Sequence, residues 1–450
     1  MPSQDGKTRS DLGSKLKVAV IGLGKLGLPL AAVLAEADNE VFAYDANPDL
    51  VSQLKSDTFF SSEPKLMETL HSFRSNIFFV DSIQDAVHKS ELSFIIVPTP
   101  SMSDGNFDNK LVIKVLEEIS DAIKFKEEFH VIDVVSTVMP GSCNDDFIPL
   151  LELRSGRTLN IDFGLCYNPE FIALGSVVKN MLQPDMHLIG ASNTRSGETL
   201  ERALKSVTGE NVPSRIMNLK EAELVKISVN NFVTTKISFA NMLMEIADRL
   251  GGIDIDVVTD AIGLDSRIGR KYLKGGTSFG GPCFPRDTRA MSTLLSRLDL
   301  STAIPQSTSL VNDKHNEFLV DKVLVHLADA MEVGLIGFSY KPDTIVYEES
   351  TGIKLADILQ RKGKKILVWE PLFKVEDSHL QLELSFVPHL KDLSGCTVLI
   401  LTRELTALEL DTFVNTIQSK IVLDPWRQLS DYQIGSLKNG TQYIPIGRDS

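Results

Sequence analysis

One cysteine stands in a setting that invites chemistry. The segment Gly275-Gly276-Thr277-Ser278-Phe279-Gly280-Gly281-Pro282-Cys283-Phe284-Pro285-Arg286-Asp287 surrounds a single thiol with glycines. Glycines in this density mean that the backbone approaches something closely and presents the thiol on a shaped loop. The nearby cations Arg286 and Lys274 would favour the thiolate, the reactive form. The plain alternative is that Cys283 is a small buried hydrophobe, the usual state of a free cysteine. A second segment, Gly22-Leu23-Gly24-Lys25-Leu26-Gly27, fits GxGxxG, with a strand before it, a helix after it and Asp45 closing the next strand. Gly22 permits the tight turn, Gly24 lets the backbone approach a pyrophosphate, and Gly27 allows close helix–strand packing. The N–H groups around Lys25, Leu26 and Gly27 open the helix toward phosphates. Asp45 would accept hydrogen bonds from the ribose hydroxyls and repel a 2′-phosphate, which favours NAD over NADP. The competing explanation is a glycine-rich structural turn. A dinucleotide together with a reactive cysteine suggests hydride transfer from a thiohemiacetal, giving a thioester that water hydrolyses. Cys143, Cys166 and Cys396 sit in ordinary contexts and read as core packing.

The elements that must position these residues alternate. Apolar strands are expected at Lys17–Ile21, Val41–Tyr44, Leu92–Val97, His130–Val135 and Phe163–Tyr167, with helical stretches between them, beginning with Leu28–Ala37. Such alternation predicts a parallel sheet with right-handed crossovers. Asn218–Leu250 then reads as one long helix, free of proline and stopped by Gly251-Gly252. A helix is expected at Glu317–Ala330, after which strands resume at Val333–Gly337, Lys365–Trp369, Thr397–Leu401 and Lys420–Leu423. The fold class is therefore α/β: two Rossmann-like parallel-sheet domains joined by a central helical region with a long helix. The expected divisions are a loose tail over 1–15, a dinucleotide domain over 16–215, a central region over 216–316 and a C-terminal domain over 317–450.

Composition narrows the function. A chain of 450 residues exceeds one ordinary core. The formal net charge of −14 argues against nucleic acid or an anionic membrane as partner. An anionic substrate would then need a local basic pocket. No apolar run reaches the roughly 20 residues of a membrane span, and the polar N-terminus lacks a signal-peptide core. The four cysteines form no CxxC pair and no metal-ligand spacing, so neither a disulfide framework nor a metal is expected, and a reducing, cytoplasmic setting is.

Ordered motifs carry a specific likeness. KVAVIGLGKLGLPLA is followed by IIVPTP at Ile95–Pro100, STVMPG at Ser136–Gly141 and NPEF at Asn168–Phe171. AELVKISVNN at Ala222–Asn231, FGGPCFPRD at Phe279–Asp287, IGFSYKPDT at Ile336–Thr344 and VWEP at Val368–Pro371 complete the series. The chain resembles the UDP-glucose/GDP-mannose dehydrogenase family of nucleotide-sugar dehydrogenases from Lys17 to about Pro425. The resemblance implies a four-electron oxidation of a sugar C6 alcohol to a carboxylate with two NAD per turnover, a UDP-hexose as favoured substrate, and a homodimer or higher oligomer through the central helix. It implies that Cys283 is the nucleophile. Lys226 and Asn230, four apart on one helix face, would stabilise the alkoxide and oxyanion. Asp287 would work with that lysine through a water. Glu170 would activate water for thioester hydrolysis, and Thr137 would order it. Pro98, Thr99 and Thr137, after predicted strands, would line the cofactor. Phe171, Phe279, Gly280 and Tyr340 would contact the substrate, and Arg267, Lys274 and Lys341 would reach its diphosphate. Taken without the resemblance, Lys226 and Asn230 are a solvated helix face and Glu170 a carboxylate meeting a helix dipole.

Three positions depart from the family. Where an arginine–glutamate pair usually follows NPEF, this chain has Ile172-Ala173-Leu174-Gly175, so a leucine replaces the second acid. Val346 and Glu348 stand where an aspartate and an NAD-approaching arginine are usual. Two other functions compete: a two-electron hydroxyacid dehydrogenase, which leaves the cysteine loop unexplained, and a non-catalytic binder of NAD or nucleotide sugars, which the departures favour.

Overall fold

The computed structural model describes residues 15–172, 175–327, 332–372, 382–437 and 440–449. It divides into two compact units with the boundary between Lys226 and Ile227. The first is built on strands β1 (Lys17–Ile21), β2 (Glu40–Tyr44), β3 (Ile77–Phe79), β4 (Leu92–Ile95), β5 (His130–Val134), β6 (Phe163–Tyr167), β7 (His187–Ala191) and β8 (Ser214–Met217). They lie in the order β3-β2-β1-β4-β5-β6-β7-β8, parallel except for the antiparallel pair β6–β7. The inner strands are buried along their length, which is why β1 and β5 read as near-continuous apolar runs. Helices Gly27–Glu36 and Thr194–Thr208 pack into one core cluster of the unit, Lys110–Ile123 and Ile148–Ser155 into another. Strand order reverses between β1 and β4. Ligands of open α/β sheets collect at the carboxyl ends of strands around such a point.

The second unit holds β9 (Glu332–Ile336), β10 (Lys365–Trp369), β11 (Leu384–Phe386), β12 (Val398–Leu401), β13 (Ile421–Asp424) and β14 (Gln442–Pro445). The order is β11-β10-β9-β12-β13-β14 and every pair is parallel. A 32-residue helix, Leu219–Leu250, starts before the boundary and ends after it. Asn218 caps it reciprocally: its Oδ1 accepts from the Glu221 N–H at 2.9 Å while its own N–H donates to Glu221 Oε2 at 2.9 Å. Gly251, at φ +66°, ends it.

The strands expected from the sequence appear within a residue or two of their limits. β3, β7, β8, β11 and β14 were not anticipated. The helix expected at Glu317–Ala330 begins instead at Ala303 and runs to Leu327; residues 328–330 lie outside the described part. Pro305 falls in its first turn, where a missing N–H costs nothing, so the proline opens the helix rather than interrupting it. Among the described residues no helix is long and apolar enough to cross a membrane.

At the carboxyl ends of β10 and β12, Arg403 is buried between two acids. Its Nη2 donates to Glu370 Oε1 at 2.9 Å and to Glu409 Oε1 at 2.8 Å, and its Nε donates to Glu370 Oε2 at 3.1 Å. Removing one partner of a buried pair typically costs about 3–5 kcal/mol, because the other charges stay behind. Arg403→Met should therefore lower stability by about that amount in urea unfolding. A loss under about 0.5 kcal/mol would mean that this cluster does not hold the second sheet together.

Candidate active site

The glycine fingerprint adopts the geometry its residue types demand. Gly22 has φ +96°, and a Cβ there would lie 2.1 Å from the Ile96 carbonyl oxygen. A Cβ on Gly27 would meet the Gly22 oxygen at 1.8 Å. Around Gly24 there is open space, with nothing within 4 Å of where a Cβ would be. The helix that follows carries no side-chain cap and no acid in its first turn, so its positive end is left for an anion. Asp45 sits half-buried at the end of β2: its Oδ2 accepts from the Leu23 N–H at 2.7 Å and its Oδ1 from the Asn47 N–H at 2.8 Å. The acid expected at the ribose also buttresses the fingerprint loop. These features suit the pyrophosphate and ribose of a dinucleotide.

The rim after β4 and β5 is tied by hydroxyls. Ser136 Oγ donates to the Val97 carbonyl at 2.7 Å and accepts from the Val97 N–H at 3.0 Å; Thr99 Oγ1 donates to the Thr137 carbonyl at 2.8 Å. Pro98 is exposed beside them. Glu223, fully buried on the long helix, accepts from the Gly141 N–H at 2.5 Å and the Cys143 N–H at 2.8 Å, fixing the far end of the same loop. One turn along, Lys226 Nζ donates to the Glu170 carbonyl at 2.6 Å and lies 4.5 Å from the centre of the Phe171 ring. Burial pushes the Glu170 carboxyl up to about 7, with the Lys226 ammonium opposing the rise. Asp133, in β5, is fully buried. Burial first, then the Glu170 charge, raises Asp133 well above the carboxylate range.

In the second unit, Asn230 Nδ2 donates to Asp287 Oδ2 at 2.6 Å, and Arg286 Nε meets Asp287 Oδ1 at 3.3 Å. Arg286 thus spends its charge at least partly on Asp287. Cys283 is exposed and forms the N-cap of helix Phe284–Arg297. Buried polar groups hold the preceding loop residue by residue. Gly276 N–H donates to Asn241 Oδ1 at 2.9 Å, Asn241 Nδ2 donates to the Thr277 carbonyl at 3.1 Å, and Asn312 accepts from the Phe279 N–H at 2.8 Å and donates to its carbonyl at 3.1 Å. A Cβ on Gly280 would meet the Glu349 oxygen at 2.1 Å, and one on Gly281 the Tyr340 ring at 2.7 Å. Tyr340 is pushed up to about 12 by burial and by the nearness of Cys283. Lys341 lies 5.9 Å from the Tyr340 ring centre. Lys274 pairs with Glu404 at 3.2 Å, beside Trp426. Arg267, its side chain 86% exposed, is clasped by its neighbour Asp265 at 2.6 Å.

Comparison with known proteins decides the kinship. The NAD-binding, central and UDP-binding domain models of the UDP-glucose/GDP-mannose dehydrogenase family match residues 16–208, 220–314 and 334–431. A GDP-mannose 6-dehydrogenase of Pseudomonas aeruginosa is 32% identical over 388 residues, covering 84% of this chain and 87% of that one. A UDP-glucose 6-dehydrogenase of Bacillus subtilis is 27% identical over 417 residues, covering 91% and 88%. The solved UDP-glucose dehydrogenase of Pyrobaculum islandicum superposes with a TM-score of 0.84 at 30% identity, covering 97% of this chain and 98% of that one. The chain belongs to the UDP-glucose/GDP-mannose dehydrogenase family. It is an NAD-dependent nucleotide-sugar dehydrogenase.

Of the family departures, Leu174 lies outside the described residues. At the other two, the backbone does the work: the Val346 carbonyl accepts from the Tyr340 N–H at 2.9 Å and the Glu348 carbonyl from the Gly281 N–H at 3.0 Å. Neither bond depends on the side chain. Residues that sequence reasoning missed include Ser136, Glu223 and Asn312, buried polar groups whose partners are remote in the chain, and Asp133, buried within β5. The only advance signal was a polar residue recurring on an otherwise apolar helix face.

The glycines predict a split response. Gly22→Ala and Gly27→Ala should lower the melting temperature and abolish NAD binding together, since each Cβ strikes backbone. Gly24→Ala should leave the melting temperature unchanged and weaken NAD by tenfold or more, about 1.4 kcal/mol in titration calorimetry. Full NAD affinity in Gly24→Ala would show that the open space beside this glycine is not where the cofactor approaches.

Proposed function

We propose that this dehydrogenase oxidises a UDP-hexose at C6 to the uronate through a covalent intermediate on Cys283. The observation that carries the reading is the cysteine loop: an exposed thiol at a helix N-terminus, on a backbone held by buried side chains. A helix N-terminus favours the thiolate charge at its cap. NAD, held by the fingerprint and Asp45, supplies the hydride acceptor for both oxidations. The sugar alcohol first becomes an aldehyde, its proton leaving through the Lys226 and Asp287 side. Cys283 Sγ then adds to the aldehyde carbon, giving a thiohemiacetal whose alkoxide the Lys226 ammonium and Asn230 amide stabilise. Loss of the second hydride leaves a thioester. Glu170 takes a proton from a water ordered by Thr137, the water oxygen adds to the acyl carbon, and the C–S bond breaks to return the thiolate. Phe171, Phe279 and Gly280 would shape the sugar pocket, and Tyr340, Lys341, Lys274 and Arg267 would serve the nucleoside diphosphate.

Cys283→Ala should abolish acid formation while leaving NAD and nucleotide-sugar binding nearly intact. Glu170→Gln should slow turnover by a factor on the order of 10² to 10⁴ and let a sugar thioester accumulate on Cys283 for mass spectrometry. Near wild-type uronate release from the alanine variant would end the covalent mechanism. Because Glu170 must be ionised to act and is pushed up to about 7, the hydrolytic step should quicken as pH rises through 7 and level off above it. A rate independent of pH between 6 and 8 would remove Glu170 from the role of base. Turnover on a panel of UDP- and GDP-sugars tests the substrate: preference for a GDP-sugar would overturn the nucleotide assignment while leaving the chemistry in place.

The long helix supports a homodimer. Phe232 is 66% exposed, with Leu224, Phe239 and Ile246 also bare on the same chain segment. Exposed apolar patches of this kind mark association surfaces. Phe232→Asp should turn a dimer into a monomer in light scattering at micromolar concentration; a wild-type monomer would sink the proposal. An exposed nucleophilic thiol must also stay reduced, which suits a cytoplasmic setting.

A further inference from the structure

The helix Ala303–Leu327 meets the cysteine loop with a side chain that the reaction described above does not use. His315 is fully buried, and both of its ring nitrogens face acceptors: Nδ1 lies 2.8 Å from Glu245 Oε1, and Nε2 lies 2.8 Å from the Gly276 carbonyl oxygen. A carbonyl oxygen only accepts, so Nε2 must carry a hydrogen; an ionised carboxylate only accepts, so Nδ1 must carry one too. A neutral imidazole has a single N–H and serves one of the two.

The surroundings favour the charged pair. From the long helix, the second oxygen of Glu245 meets Arg249 at 3.8 Å, and Asp248 is matched by Lys322 of His315's own helix. From the C-terminal segment, Arg427 donates to the Gly275 carbonyl at 2.7 Å and is paired with Asp256 at 2.8 Å. The ring itself stacks on Phe318, with centres 5.6 Å apart. Gly276 is confined on its other sides as well: its N–H donates to Asn241 at 2.9 Å, and a Cβ would meet the Trp426 ring at 2.5 Å. The histidine bond therefore completes the restraint on Gly276, whose N–H and carbonyl are both held, in the loop that delivers Cys283.

We propose that His315 is a positioning residue for the oxidation, an imidazolium held between Glu245 and Gly276 that sets the cysteine loop. The proposal rests on Cys283 being the nucleophile. Losing either bond frees the Gly276 peptide, and a misplacement of about 1 Å at a reacting group costs on the order of 10²-fold in rate.

The test joins spectroscopy to kinetics. In full-length protein labelled with 15N in the histidine rings, the His315 signals, assigned by their absence from His315→Gln, should show both ring nitrogens protonated at pH 7. His315→Gln should lower kcat by about 10²-fold with the KM for NAD unchanged, and should alter the rate at which iodoacetamide modifies Cys283. Glu245→Gln, nearly isosteric and therefore expected to fold, takes away the counter-charge and should leave one ring nitrogen of His315 without its hydrogen at pH 7. A neutral His315 at pH 7 would overturn the proposal. So would variants that lose melting temperature but keep the kcat of the wild type. Uronate production by Cys283→Ala would instead defeat the covalent reading, and the ring-nitrogen spectrum would still report on His315 independently.

Discussion

A buried polar group must find a partner, and one helix applies that constraint along its whole length. The helix Leu219–Leu250 buries Glu223, Lys226, Asn230, Thr234, Ser238 and Asn241, spaced three or four apart and hence on one face. Each meets a group whose own satisfaction depends on it. Glu223 takes the N–H groups of Gly141 and Cys143, and Lys226 gives to the Glu170 carbonyl. Asn230 gives to Asp287, Ser238 to the Thr308 carbonyl, and Asn241 brackets Gly276 and Thr277. Leaving any of these unmade costs roughly 1–3 kcal/mol of desolvation with nothing returned. The loops are thereby given one arrangement each, and irregular backbone becomes as well determined as a sheet. The usual amphipathic plan is modified: these polar residues are buried alongside Ala222, Ile227, Ala240 and Met244, while Leu224, Phe232, Phe239 and Ile246 stand outside.

The carboxyl groups of the first unit show how environment separates roles that sequence alone would leave equal. Asp133, Cys166 and Phe94 sit side by side in register across three neighbouring strands, so their side chains share a face of the sheet. Burial first, and the Glu170 charge second, raise Asp133 well above the carboxylate range, and burial raises the Cys166 thiol as well. Glu170 is pushed up only to about 7 by its own desolvation, with the Lys226 ammonium opposing the rise.

What was legible in the sequence was what is local. The glycine fingerprint could be read because each glycine answers a demand of its own turn, and Gly22 and Gly27 meet backbone at the positions those demands require. The inner strands could be read because they are buried on both faces. The strands that escaped are short or lie toward sheet edges: β3 and β11 have three residues each, β8 alternates only weakly, and β7 runs against its neighbour β6. Partners remote in sequence escaped for a different reason. Nothing in the spacing of residues tells that Glu223 meets a loop 80 residues earlier, or that His315 reaches Gly276. Val346 and Glu348 misled in the opposite sense. Their side chains depart from the family, but the contacts their backbone makes with Tyr340 and Gly281 do not use those side chains.

Charge accounting in the second unit bears on how a strongly acidic chain would hold an anion. Arg403 stands at the carboxyl end of β12, on the rim where a nucleotide is expected in a parallel sheet. It is nonetheless an unsuitable phosphate ligand, because its guanidinium is buried and already bonded to Glu370 and Glu409. Drawing it onto a diphosphate would strand two carboxylates beside the ligand. Arg427 is committed in the same way, to Asp256 and three carbonyls. Arg267 differs from these: it is exposed, and its partner Asp265 is its own near neighbour in the chain. Releasing an exposed pair such as Arg267–Asp265 costs little, about 0–1 kcal/mol, whereas a bidentate bond from guanidinium to phosphate is among the stronger polar contacts available. Burial rather than residue type thus marks Arg403 and Arg427 as arginines that build the fold.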